Sequence, residues 1–139
     1  LGTTFGGVWD DDVAMKLLLK IGKECIDVAA GKGITLEPYE GYYFYQAFKR
    51  GNEKTNQESI ELIREIWKPH YKLTASMAQD VMKGRKCEIY DINGVVCKAG
   101  KECGVPTPVN DIVVKVVAGI QDGIYEYSQK NIEFFKELL

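Results

Sequence analysis

Glu88 and Ser76 are the two residues of this 139-residue chain whose types and setting best suit chemistry on a small molecule. Glu88 follows a basic turn, Gly84-Arg85-Lys86, and is expected to open a helix. There the helix dipole, together with Arg85 and Lys86, favours an ionised carboxylate fixed in direction. Ser76 lies on the helix leading into that turn, so folding the helix pair together can bring its hydroxyl near the carboxylate. A glutamate in the first turn of a helix is ordinarily just a favourable surface charge, so spacing alone leaves both readings open.

Other chemistry-bearing residues are less well placed. His70, the single histidine, follows Pro69 with no Cys, Asp or Glu at ligand spacing, and reads as a turn residue rather than a metal ligand or general base. Cys25, Cys87, Cys97 and Cys103 sit singly inside apolar stripes or at helix edges, without CxxC pairing, and read as reduced thiols used as small hydrophobes. No GxGxxG between a strand and a helix and no GxxxxGK[ST] occurs, so no cradle for a dinucleotide or a phosphate is expected in this chain. A net charge of -2 gives no footprint for nucleic acid, which needs clustered excess Lys and Arg. No apolar run approaches the roughly 18 to 20 residues that span a bilayer, and no signal-peptide layout opens the chain, so an intracellular, soluble protein is expected. Because it begins at Leu1, the chain reads as a piece of something larger.

The elements that must position these groups follow from periodicity. Hydrophobic residues at 45% and charged residues at 27% suit one ordinary globular domain. Asp10, Asp11 and Asp12 precede Ala14, Leu17, Leu18, Ile21, Cys25, Val28 and Ala29, one apolar face of a helix ending near Gly31 or Gly33. After Pro38 an aromatic stretch holds Tyr39, Tyr42, Tyr43, Phe44, Tyr45 and Phe48, better suited to packing than to stacking on a ligand. Thr55 and Glu58 have capping-box spacing ahead of Ile60, Ile63, Ile66 and Trp67. A helix with Leu73, Met77 and Val81 inward should stop at Gly84, and a stripe of Ile89, Ile92, Val96, Ala99 and Cys103 should run to Gly104. Thr107 and Pro108 form an N-cap and first-position pair for a helix with Val109, Val113, Val116 and Ile120 inward. A last helix runs through Tyr127 and Phe134 to Leu138. The β-branched runs keep a period of three to four rather than two, so the fold expected is all-α, about six or seven helices, with no internal repeat.

From Ser76 to Asn110 the stretch SMAQDVMKGRKCEIYDINGVVCKAGKECGVPTPVN resembles the C-terminal domain of the ketopantoate reductase family. That family shows Ser-Met-x-x-Asp, a Gly-Arg turn, Thr-Glu-Ile-Asp, Asn-Gly and Gly-x-Pro-x-Pro-x-Asn at matching intervals. Upstream, LGTTFGGVWDD followed by a long helix resembles the region after the family's first catalytic helix, and the aromatic segment matches least well.

The resemblance implies a two-domain cytoplasmic oxidoreductase (2-dehydropantoate 2-reductase) that reduces ketopantoate to pantoate with NADPH in pantothenate biosynthesis. Residues 1–139 would form its helical substrate domain, similar to that of 6-phosphogluconate dehydrogenase, while a Rossmann domain that holds NADPH lies outside this chain. By residue match, Glu88 falls on the catalytic glutamate, which helps position the catalytic lysine and the substrate hydroxyl. Ser76 falls on the serine that hydrogen-bonds the substrate carboxylate. The lysine and its accompanying asparagines are expected upstream of Leu1, so the isolated chain is expected to be inactive. Its expected partners are a keto acid, the N-terminal Rossmann domain of the same polypeptide and a second copy in a homodimer. Two departures stand out: Cys87 replaces the family's threonine at the expected cap of the Glu88 helix, a swap costing about 1 kcal/mol, and Tyr90-Asp91 inverts the family's order. Two alternatives remain open, a reductase domain for a related 2-keto acid and a free-standing helical dimerisation module.

Overall fold

Asp11 starts the longest helix of the described residues: its carboxylate accepts the N–H groups of Val13 at 2.9 Å and Ala14 at 3.0 Å, satisfying two donors that have no partner inside a helix. The computed structural model describes residues 2–38, 44–49 and 53–139. The elements are α1 (Phe5–Trp9), α2 (Asp12–Gly31), α3 (Phe44–Lys49), α4 (Glu53–Trp67), a 3-10 turn (Lys68–His70), α5 (Ser76–Met82), α6 (Asn93–Cys103), α7 (Pro108–Gln121) and a C-terminal 3-10 helix (Gln129–Leu138). There is no strand among the described residues, and the all-α expectation holds with seven α-helices.

α2 is the axis of the fold, and it is buried on two faces rather than along the one stripe that the periodicity predicts. Met15 and Leu19 pack with Trp9, Ile60 and Ile63, joining α2 to α1 and α4. Leu17 packs with Val109 and Phe135 on the opposite side, joining α2 to α7 and the C-terminal 3-10 helix. Each such buried side chain contributes about 1.5 to 3 kcal/mol. Arg64 on α4 ties the first cluster together, donating from Nε to the Trp9 carbonyl at 2.7 Å and from its terminal nitrogen to Asp12 at 3.2 Å. It thereby satisfies a carbonyl at the end of α1.

Several elements depart from the expectation, each for a local reason. The short α1 lies ahead of the first expected helix, capped by Thr4, whose hydroxyl accepts the Gly7 N–H at 3.3 Å. α4 begins at Glu53, so Thr55 lies inside the helix rather than at its cap. The side chain of Thr55, like Tyr39, Tyr42, Tyr43, the Phe44 side chain, Gly51 and Asn52, lies outside the described residues, whereas Phe48 packs against the α1–α2–α4 cluster. Leu73, expected inward, precedes α5 and is exposed, its carbonyl accepting the Phe5 N–H at 2.9 Å. The C-terminal segment coils as a 3-10 helix, in which residues three apart eclipse. Ile132, Phe135 and Leu138 have that spacing, and all three pack in the cluster with Leu17 and Val109.

The segment from Glu88 differs most. Residues 88–92 form a turn, and the helix starts only at Asn93. The Glu88 carbonyl accepts the N–H groups of both Asp91 and Ile92 at 3.0 Å. Cys87 is therefore no helix cap: its N–H donates to the Gln121 side-chain oxygen, and the threonine-to-cysteine swap carries no capping cost here. The inward face of α6 is Asn93, Cys97 and Gly100, while Ile92 is exposed. Gly104 closes α6 at φ 74, a left-handed conformation that costs a glycine nothing.

Candidate active site

Ser76 is the first residue of α5 and its side chain is exposed. Gly84, at φ 65, ends the turn after α5 as the sequence predicts, and the chain passes through Arg85 and Lys86 to Glu88. Glu88 is exposed and lies in a turn rather than at a helix start, so the helix-dipole argument for its carboxylate does not apply. Neither Ser76 nor Glu88 has a side-chain hydrogen bond or ion pair among the described residues, and Arg85 and Lys86 do not pair with Glu88. Both polar side chains are left available to a ligand.

Residues next to both of these in sequence line one apolar groove of 220 Å³. Ala75 and Met77, flanking Ser76, line it, and so does Ile89, next to Glu88 and fully buried. Its floor is α7, through Val113, Val117 and Ile120, and its far wall is the start of the chain at Gly2 to Phe5. The groove continues along α7 into a second apolar hollow of 190 Å³ that shares Val8, Val113, Val117 and Ile120. Ser76 and Glu88 are thus each next in sequence to residues that line one groove, although neither lines it and no bond joins them. Exposed Lys83, Arg85 and Lys86 stand on the connection between them and give this edge positive charge.

A second polar cluster lies at the start of α7. Glu24 of α2 is buried, and its two carboxylate oxygens accept three N–H donors from the start of α7: Val109 N at 2.8 Å, Asn110 N at 2.9 Å and Asn110 Nδ2 at 2.7 Å. This carboxylate does what Thr107 was expected to do. Thr107 occupies the N-cap position of α7 but makes no side-chain capping bond, its hydroxyl donating instead to Asp111 at 3.4 Å. Asn110, fully buried, accepts from Asn93 Nδ2 at 2.8 Å. Glu24 went unflagged in the sequence although a signal was present: it falls on the helical repeat of Leu17, Ile21 and Val28, and a charged residue on an inward stripe needs partners.

Among the described residues no strand leads into a glycine-rich turn, and no group of three or more His, Cys, Asp or Glu residues could hold a metal ion. His70 packs against Trp67 at the end of α4 with ring centroids 5.7 Å apart and the rings tilted by 54°, a packing role consistent with its reading as a turn residue. No helix is long and apolar enough among the described residues to cross a membrane.

With the helical order and the groove in place, comparison with known proteins is decisive. The family model described as the ketopantoate reductase PanE/ApbA C terminal matches residues 1–121. The chain belongs to this family. The matched span includes Glu24, Ser76, Glu88 and Asn110. A 2-dehydropantoate 2-reductase of Archaeoglobus fulgidus is 36% identical over 50 residues, which are 36% of this chain and 17% of that protein. One from Aquifex aeolicus is 48% identical over 42 residues, 30% of this chain and 13% of its own length. The crystal structure of a PanE/ApbA family ketopantoate reductase from Ralstonia eutropha JMP134 shares the fold with a TM-score of 0.65 at 22% identity, over 87% of this chain and 34% of that one. The chain thus spans about a third of the length of this solved relative. It is a C-terminal domain of the ketopantoate reductase type.

Proposed function

We propose that residues 1–139 are the helical substrate domain of an NADPH-dependent 2-dehydropantoate 2-reductase, acting in the cytoplasm in pantothenate biosynthesis, with Glu88 as a catalytic residue and Ser76 as a substrate-binding one. The observation that carries the reading is the family match over residues 1–121, together with an exposed carboxylate and hydroxyl that are next in sequence to residues lining one groove. A 2-keto acid is a small anion with a polar head and an aliphatic body. The Ser76 hydroxyl can donate to its carboxylate, the positive edge at Lys83, Arg85 and Lys86 attracts it, and the apolar groove receives its methyl groups. The Glu88 carboxylate can accept a hydrogen bond from a substrate hydroxyl and orient a neighbouring cation.

The described residues do not fit NADPH: they include no glycine-rich turn between a strand and a helix, the backbone cradle that a dinucleotide pyrophosphate needs. The reading therefore places NADPH on a Rossmann domain of the same polypeptide, and the isolated chain is expected to be inactive because one wall of the catalytic cleft is missing. NADPH oxidation with ketopantoate, assayed for the polypeptide at its genomic length beside the isolated chain, tests this directly. Activity confined to the longer form is the expected result; a native polypeptide no longer than this chain and without activity would replace the reading with a helical interaction module.

A further inference from the structure

We propose that Glu24 is a positioning residue for Glu88, acting across the domain through Asn110 and Asn93; this rests on the reading of Glu88 as an active-site group. The relay is directional. A carboxylate offers only acceptors, so the Asn110 amide must turn its NH2 toward Glu24, where Nδ2 also reaches the Ile21 carbonyl at 3.3 Å. That leaves Asn110 Oδ1 facing α6, where it accepts from Asn93 Nδ2 at 2.8 Å. Glu24, Asn110 and Asn93 are all buried, so each bond is hard to replace with water.

Asn93 is where the relay meets the site. It is the first residue of α6 and the landing point of the turn that carries Glu88. Within that turn the Ile89 carbonyl accepts the Gly94 N–H at 3.0 Å, and the Ile89 side chain is fully buried. On the upstream side the Cys87 N–H is held by Gln121, at the other end of α7. The Glu88 turn is thus pinned at both ends to one helix, and the downstream pin is oriented by Glu24. Apolar side chains could pack α6 on α7 equally well; a buried amide pair adds one register and one direction to the contact.

The test is a double-mutant cycle in the full-length reductase, reading kcat and KM for NADPH oxidation with ketopantoate. Glu24→Gln keeps the shape but turns an amide NH2 against N–H donors, and Asn93→Ala cuts the relay while leaving the Glu24 bonds to α7 in place, which covers the case in which Glu24→Gln fails to fold. Each is expected to lower kcat on the order of tenfold, since small misplacements of a reacting group are costly, with KM for NADPH unchanged. Each is expected to lose most of that effect when Glu88→Ala is already present. An equal fold-loss in both backgrounds, or wild-type kcat in Asn93→Ala, overturns the inference alone. Wild-type kcat in Glu88→Ala itself removes the active-site reading and the inference with it.

Discussion

Glu24 and Glu88 carry the same side chain into opposite circumstances. Glu24 is buried among three N–H donors and stitches α2 to the start of α7, which passes the constraint on to α6. Glu88 is exposed on a turn with no side-chain partner among the described residues, and the Ile89 that follows it lines a groove whose walls are apolar. The contrast separates polarity completed inside the fold from polarity left open at its surface. A polar group completed inside the fold stabilises it, whereas one held in place by its backbone yet left without a partner is free to bind something else.

The largest effect should come from breaking the closed side of the comparison. Glu24→Ala leaves two buried helix N–H groups without acceptors and the Asn110 NH2 with only the Ile21 carbonyl, and should cost about 3 kcal/mol, measured by urea unfolding; a cost near zero would mean that water enters and the cluster is not closed. Next comes Gly100→Ala. Helix propensity alone would favour the change by about 1 kcal/mol, but the new Cβ would sit 2.6 Å from the Val105 carbonyl oxygen, and backbone cannot swing aside. We expect a net loss of about 1 to 2 kcal/mol, and an unchanged unfolding midpoint would show that the backbone at Val105 between α6 and α7 yields easily.

On the open side, Glu88→Ala should lower turnover of the full-length reductase more than tenfold, about 1.4 kcal/mol, while moving its unfolding midpoint by less than about 0.5 kcal/mol. Equal damage to both quantities would erase the distinction between the two glutamates. The smallest effect is a pH dependence on the closed side. Burial first, and then the hydrogen bond to Asp111, pushes the Cys97 thiol from 9.0 up to about 11. The folded state then holds a proton that the unfolded chain releases, so stability from this group is full below pH 9.0 and is lost as pH rises toward about 11. Cys97→Val should flatten that part of the alkaline unfolding profile, and an unaltered profile would place the thiol in contact with water.

Much of this molecule was legible from its residues because it is governed by local rules. The aspartate run starts α2, Gly84 and Gly104 sit at helix ends with positive φ, Pro108 occupies the first turn of α7, and the apolar period excludes strands. The stretch from Ser76 to Asn110 also carried enough spaced identity to point to the family that the comparison then showed. Less legible were features that depend on what stands opposite. The periodicity of α2 pointed to one inward face, but a helix at the centre of a domain is covered from two sides, which Met15 and Leu19 reveal only when α4 is in place.

The start of the Glu88 segment departs from its apolar period for a related reason. Ile89 and Ile92 fit a helical spacing, but the fully buried Ile89 and the tie from Cys87 to Gln121 hold the chain in a turn, and α6 waits until Asn93. The sequence by itself determined the helical class, the ends of most helices and the family, since dipoles, caps and apolar period act within a few residues. Only the tertiary structure decided that a glutamate on α2 caps α7 in place of Thr107, and that the neighbours of Ser76 and Glu88 line one groove. Those facts depend on which surfaces are desolvated together, and burial is a property of the assembled fold rather than of any segment.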